Sequence, residues 1–224
     1  MLYLVSTPIG DPDDITLRAL RVLREANAVI CEEPRQGERL LRRYHIENEL
    51  IALNEHTERA QLPAVLARLQ RGETLALISD HGTPILADPG ALLVTRAIAA
   101  KIPVRAVPGA SSLLAALVVS GLPMTRFRFL GFLPAKKEAR RAALATLRRE
   151  RDTCILFDTP YRLPAVLTDL RATLEPTRRI VIACNLTLPD ENVVRDTLAG
   201  VCEYFQKNPF KGEYVILIAG RETQ

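Results

Sequence analysis

Twelve residues, Ser79-Asp80-His81-Gly82-Thr83-Pro84-Ile85-Leu86-Ala87-Asp88-Pro89-Gly90, bring together two carboxylates, a histidine, two hydroxyls, two glycines and two prolines. An apolar β-like run, Thr74 to Ile78, precedes them, and a helix-like run, Ala91 to Ala100, follows. A loop of this length between a strand and a helix exceeds the usual connection of about 4–6 residues. In open α/β sheets ligands bind in the crevice beyond the carboxyl ends of the strands. Two further loops share the pattern of Pro and Gly after an apolar run: Thr7-Pro8-Ile9-Gly10 and Pro108-Gly109-Ala110-Ser111-Ser112. Glycine lets a ligand approach the backbone, and the helix that follows offers unpaired N–H groups. None of the three is a G-x-x-x-x-G-K-[ST] phosphate loop or a G-x-G-x-x-G dinucleotide fingerprint. The chemistry that suits them is the binding of a neutral or zwitterionic ligand with a carboxylate and an adenosine.

The elements that position these loops alternate between strand and helix along the chain, the pattern of an α/β fold. Strands are expected at Leu2–Ser6, Ala28–Cys31, Thr74–Ser79 and Val104–Val107, with helices after Asp14 and over Arg35–Tyr44 and Glu58–Arg71. Ile51–Leu53 is too short to assign. The linker-like Ser120-Gly121-Leu122-Pro123-Met124-Thr125 divides the chain into an N-terminal lobe, 1–120, and a C-terminal lobe, 121–224. In the second lobe strands are expected at Phe127–Leu133, Thr153–Asp158, Arg179–Cys184 and Tyr214–Ala219, with a short one at Val193–Arg195. Helices are expected over Ala135–Arg149, from the opening Thr159-Pro160-Tyr161-Arg162 to near Leu174, and over Leu198–Phe205.

Composition narrows the classes. With 224 residues, 48% of them hydrophobic and 25% charged, the chain can bury a substantial core. Its four cysteines are widely spaced and lie mostly in apolar runs, which suits buried free thiols, and its three histidines have no metal-ligand spacing. No metal is expected, nor a signal peptide, nor a bilayer-spanning stretch of about 20 apolar residues. A cytoplasmic location is the expectation. The net charge of +4 permits an anionic partner. Basic residues cluster at Arg35–Arg43 and at Lys136, Lys137, Arg140 and Arg141. Each cluster is a solvated helix face or a surface for phosphates. There is no tryptophan and aromatics are few, so a base-stacking platform would be small.

A resemblance adds to this. The N-terminal Met1 to Gly10 with Asp13-Asp14-Ile15-Thr16-Leu17-Arg18 looks like the start of the ribosomal RNA small-subunit methyltransferase I family. The 79–90 loop resembles that family's S-D-A-G-T-P-x-x-x-D-P-G, Cys31-Glu32-Glu33-Pro34-Arg35 its C-E-D-T-R, and Val107-Pro108-Gly109-Ala110-Ser111 its V-P-G-P-S. Gly131-Phe132-Leu133-Pro134 and Lys211-Gly212-Glu213-Tyr214-Val215 match in order and spacing. The resemblance implies the two-lobed α/β tetrapyrrole-methylase fold, with S-adenosylmethionine in the cleft between lobes, a homodimer, and 2′-O-methylation of a cytidine in 16S ribosomal RNA or the 30S subunit. By match to the motifs, Pro8, Asp80, Thr83, Ser111 and Ser112 are the cofactor contacts, with backbone near Phe157, Leu186 and Ala219 a second set. A ribose hydroxyl is a weak nucleophile, so a base would help. Asp80, Asp88 and Glu33 are the candidates, each of which could instead be a cap or a brace. Arg35 and the 136–141 cluster would hold RNA phosphates.

The sequence departs from the family at several motif positions. His81 stands where Ala is usual, Glu33-Pro34 where Asp-Thr is, and Ala110 where Pro is. Phe157-Asp158-Thr159-Pro160-Tyr161-Arg162 replaces Y-E-S-P-H-R, and Ala183-Cys184-Asn185-Leu186-Thr187-Leu188 replaces A-R-E-L-T-K, with its three charges gone. Two other readings remain open: a diverged methylase of a small molecule such as a tetrapyrrole, and a non-catalytic protein that binds S-adenosylmethionine.

Overall fold

The structure is a computed structural model that describes residues 1–221. Two compact units divide between Ser111 and Ser112. In the first, β1 (Leu2–Val5), β2 (Ala28–Cys31), β3 (Leu50–Ala52), β4 (Leu75–Ile78) and β5 (Val104–Val107) form a parallel sheet in the order β3-β2-β4-β1-β5. Between the strands run α1 (Leu17–Glu25), α2 (Pro34–Arg43), α3 (Glu58–Gln70) and α4 (Ala91–Ala99). Parallel strands need crossovers, and the crossovers here cover both faces of the sheet. Side chains alternate between faces accordingly. Leu2, Ala28, Ile30, Leu75 and Leu77 pack with Leu62, Val65 and Leu69 of α3 and with Leu93 and Ala97 of α4. Val5, Val29, Cys31, Ala76, Ile78 and Val107 pack with Ala19, Val22 and Leu23 of α1 and with Leu41 of α2. Burial on both faces is why these strands are unbroken apolar runs. Each fully buried Leu or Ile contributes about 2 kcal/mol.

The second unit opens with α5 (Ser112–Ser120). It continues through β6 (Phe127–Phe132), α6 (Lys137–Thr146), β7 (Thr153–Phe157), α7 (Leu163–Arg171), β8 (Arg179–Cys184), β9 (Asn192–Thr197), α8 (Leu198–Lys207) and β10 (Tyr214–Ile218). The sheet order is β6-β7-β10-β8-β9. Only β6 and β7 are parallel, and β10 runs antiparallel to both of its neighbours. The main core lies on the face covered by α6, α7 and α8. Helix α5 packs against β8, β9 and β10. This is why the units divide ahead of α5 rather than at the expected 120/121 linker. The guanidinium of Arg195 in β9 donates to the Val119 carbonyl at 2.6 and 2.9 Å and fixes the end of α5 to this unit.

Three of the four cysteines are buried, and burial pushes the thiols of Cys31 and Cys154 up to about 11 and that of Cys184 up to about 12. They are inert packing groups. Among the described residues no helix is long and apolar enough to cross a membrane, and no cluster of His, Cys, Asp and Glu could hold a metal ion.

Candidate functional site

The strand order sets β4, β1 and β5 side by side, so the loops that follow them meet at the carboxyl end of one sheet. They are sewn together. The Thr7 amide donates to the Gly82 carbonyl at 2.9 Å and the Thr7 hydroxyl to the Ser79 carbonyl at 3.1 Å. The Ser6 hydroxyl donates to the Thr83 hydroxyl at 3.3 Å, which donates in turn to the Ala110 carbonyl at 3.1 Å. Thr83 therefore braces all three loops. A Cβ on Gly109 would stand 3.0 Å from Ser6 Cβ, and one on Gly82 3.0 Å from Ile9 Cγ2. Glycine is what permits this closeness, and Gly82 also sits at φ +80°. Ile85 and Ala87 take φ of 74° and 71°, a left-handed backbone that costs a β-branched residue about 1–3 kcal/mol.

Four carboxyl groups converge on this end of the sheet. Burial holds Asp80 above the ordinary carboxylate range, and the charges of Asp88 and Glu33 add to it, while a hydrogen bond from the Glu33 amide and the charge of His81 pull the other way. One oxygen of Asp80, Oδ1, is buried with no hydrogen-bond partner. Asp88 is likewise raised by burial, against a hydrogen bond from the Ser79 hydroxyl at 2.5 Å. Glu32 is raised by burial and then by the charges of Asp88 and Asp80. Glu33 is exposed, and its Oε1 accepts the Arg35 amide at 3.4 Å at the start of α2. Of the two adjacent glutamates, Glu33 is the helix cap and Glu32 is the half-buried acid coupled to Asp80 and Asp88. Sequence reasoning chose Glu33 and missed Glu32. The parallel register Ile30 to Leu77 places the two residues after β2 beside those after β4, a signal visible only once the strands are paired. Pro34 stands at the first turn of α2, where its missing N–H has no helical partner to lose.

Pro8 is half-buried in the β1 loop; Ser111 closes the first unit and Ser112 opens α5. In the second unit, four of the sequence motifs meet at one end of the sheet. Arg162 pairs with Asp158 at 3.1 Å and donates to the carbonyls of Leu133 and Pro134 at 3.3 and 2.9 Å. Lys211 Nζ lies 5.0 Å from the centre of the Tyr161 ring, and a Cβ on Gly212 would meet Asn185 Oδ1 at 2.5 Å. Asp158 Oδ2 and the Tyr214 hydroxyl are both buried and unpartnered there. Phe157 belongs to this end, edge-on to Phe129 and Phe132 at 4.8 and 5.8 Å, and so does Leu186, just beyond β8. Ala219 does not. Because β10 is antiparallel to β7 and β8, its last residue Ile218 pairs with Cys154 and Ile180, so Ala219 leaves at the opposite end. Grouping Ala219 with Phe157 and Leu186 is corrected by strand direction.

The expected phosphate cluster also changes. Arg140 is 6% exposed, and its guanidinium pairs with Asp169 at 2.7 Å, a carboxylate only 1% exposed. Arg141 joins the same carboxylate at 2.7 Å. Arg140 is a buried structural cation and is removed from the RNA-facing set, and Arg141 is partly engaged. Lys136, Lys137 and Arg35 are exposed.

Comparison with known proteins gives a consistent likeness. The model of the Tetrapyrrole (Corrin/Porphyrin) Methylases matches residues 1–202. A Ribosomal RNA small subunit methyltransferase I of Pseudomonas aeruginosa is 44% identical over 221 residues, 98% of this chain and 78% of that protein. One from Micromonospora olivasterospora is 42% identical over 220 residues, 98% of this chain and 70% of that protein. Among solved structures, the uroporphyrin-III C-methyl transferase from Thermus thermophilus complexed with S-adenyl homocysteine superposes with a TM-score of 0.65 at 24% identity, covering 97% of this chain and 96% of that one.

Proposed function

This chain belongs to the ribosomal RNA small subunit methyltransferase I family of the tetrapyrrole methylases, and we propose that it methylates the 2′-hydroxyl of a cytidine ribose in 16S ribosomal RNA with S-adenosylmethionine as donor. The observation that carries the cofactor is the acid cluster. Glu32, Asp80 and Asp88 are all held above the ordinary carboxylate range, and Asp80 presents an oxygen with no partner. Such a cluster is short of positive charge and of a donor. S-adenosylmethionine fits, since it brings a sulfonium, an ammonium and ribose hydroxyls, and what it supplies when bound is an electrophilic methyl group. The acceptor rests on the relatives at 42–44% identity. The solved structures at 24% identity or less speak to the fold.

In this reading the chain's own residues act by placement. The oxygen of Asp80 accepts from a hydroxyl or ammonium of the cofactor. Gly82 and Gly109 let the three loops pack against one another, and Thr83 keeps them in register. Orientation of this kind supplies much of the rate in a transfer between two bound groups. Asp88, raised by burial and braced by Ser79, is the proposed acceptor of the ribose proton, since burial makes its carboxylate a stronger base than a solvated one. Pro8, Ser111 and Ser112 join the proposed cofactor set, and Phe157 and Leu186 remain candidates by their match to the family's motifs. Arg35, Lys136 and Lys137 remain proposed phosphate contacts. The protein would work in the cytoplasm, where ribosomal subunits are, and as a homodimer. Exposed Phe127, Leu130 and Phe132 on the edge strand β6 give a second copy an apolar face to cover.

The test is incubation with methyl-labelled S-adenosylmethionine and 30S subunits from cells lacking the endogenous activity. Label is expected in 16S RNA and, after digestion, in 2′-O-methylcytidine. Unlabelled RNA, under conditions where a working relative transfers label, overturns the reading.

A further inference from the structure

At the end of the second sheet where Ala219 emerges lies a pocket of about 440 Å³ whose lining includes Arg126, Arg151, Arg179 and Arg221, with Asp152 as its one acid. Arg126 holds Asp152 at 3.0 Å. The guanidinium groups of Arg151 and Arg179 have no ion-pair partner among the described residues, and Arg221 adds its charge near Glu175 without an ion pair. The pocket therefore carries a surplus of about three positive charges that no part of the fold uses. Unlike Arg140 and Arg141, which pair with Asp169, Arg151 and Arg179 are not engaged by an internal carboxylate.

Strand order turns these four residues into a row. Arg126 immediately precedes β6, Arg151 leads into β7, Arg221 follows β10, and Arg179 begins β8; β6, β7, β10 and β8 are consecutive neighbours. At about 4.8 Å per strand the row extends roughly 14 Å. That is longer than a single phosphate group and spans several linked ones. Its floor is rigid. The buried guanidinium of Arg178 donates to the Ala219 carbonyl at 3.1 Å, and the Arg221 amide donates to the Glu150 carbonyl at 2.7 Å. Gly220 lies so close to the Arg151 backbone that no Cβ fits. The guanidinium fork matches phosphate oxygens two at a time. No aromatic side chain lines the pocket, so it offers bases no stacking surface and no means of reading sequence.

We propose that this arginine row is a second RNA contact, which grips consecutive phosphodiesters of the acceptor strand away from the methylated nucleotide. It rests on the reading that the acceptor is RNA. The test compares the wild-type chain with the triple variant R151Q/R179Q/R221Q in binding to a 16S RNA fragment over a range of salt concentrations. Each neutralised phosphate contributes about 0.7 to the slope of log affinity against log salt for a single strand. The triple variant is expected to lose about two in that slope and at least tenfold in affinity at moderate salt. The triple Lys variant should keep the slope, and S-adenosylmethionine affinity by calorimetry should stay unchanged in both. Single Gln variants, each expected to lower the slope by about 0.7, serve if the triple variant melts early. If the variants bind RNA with the wild-type slope and affinity, the row is overturned. Transfer of label to 30S subunits by the wild-type chain in the same experiment then shows that the methyltransferase reading stands without it. A wild-type chain that neither binds RNA nor labels it overturns both.

Discussion

Asp80 shows how a carboxylate proposed for function weakens its own fold. Its folded-state pKa is raised, chiefly by burial, so the native chain holds the proton more tightly than the unfolded chain does. Stability from this group is then present at low pH, falls as pH rises through the ordinary carboxylate range, and is fully lost above the raised value. Once ionised, Asp80 therefore destabilises the unliganded protein. Asp80→Asn is expected to raise the melting temperature of the unliganded chain at pH 7 and to weaken S-adenosylmethionine binding at least tenfold, about 1.4 kcal/mol. Thermal melts and calorimetry read the two effects, and unchanged binding would remove Asp80 from the site. Arg140 and Arg141 make the opposite case. Burial pushes the Asp169 carboxyl up, but the two arginines outweigh it and hold it below the usual range. Arg140→Ala leaves a carboxylate that is 1% exposed with only its outer partner, and should cost about 3 kcal/mol in urea unfolding. Arg141→Ala, at the more exposed end, should cost about 1 kcal/mol or less. Equal costs would refute the assignment of Arg140 as structural. The types of these residues were legible in the sequence. Which arginine is buried was not, because the partner Asp169 lies 28 and 29 positions away and only the fold brings it there.

At the scale of elements, glycine decides which helix comes close to which strand. Gly37 in α2 faces β2, and a Cβ there would stand 2.9 Å from Cys31 Sγ and 3.2 Å from Leu50 Cδ2. Gly37→Val should cost about 2 kcal/mol by overpacking. It should also weaken cofactor binding without touching the ligand, since α2 is capped by Glu33, whose amide donates to Asp80. Thermal melts and calorimetry check this, and a variant of native stability would show that α2 has slack. The central elements were plain in the sequence because strands buried on both faces are apolar throughout. The edges were harder. The residues of β3 are only half-buried, and β9, none of whose residues is fully buried, extends over Asn192–Thr197 rather than the expected Val193–Arg195. The start of the second unit was also hidden. Nothing local to α5 says that its partners are β8, β9 and β10, and the Gly-Pro linker after it is a turn within the unit. The direction of β10 was equally silent, and with it the end of the sheet at which Ala219 emerges.

Over the whole molecule, charge is divided between the units. Residues 1–111 carry 13 basic and 14 acidic side chains, and residues 112–224 carry 17 basic and 12 acidic ones. The total of +4 thus comes from the second unit, which suits contact with a polyanion, while the first keeps acids at the ends of its strands. In the proposed cofactor site, the unpartnered oxygen of Asp80 and its acidic neighbours bear on turnover as well as on capture. Methyl transfer turns a sulfonium into an uncharged thioether, so the spent molecule is one charge poorer than the one that arrived. A pocket short of positive charge holds the first more firmly than the second, and each cycle weakens its own product complex. Titration calorimetry should find S-adenosylmethionine bound more tightly than S-adenosylhomocysteine, with the gap narrowing in Asp80→Asn. Tighter binding of the thioether by the wild-type chain would show that shape, rather than charge, governs exit.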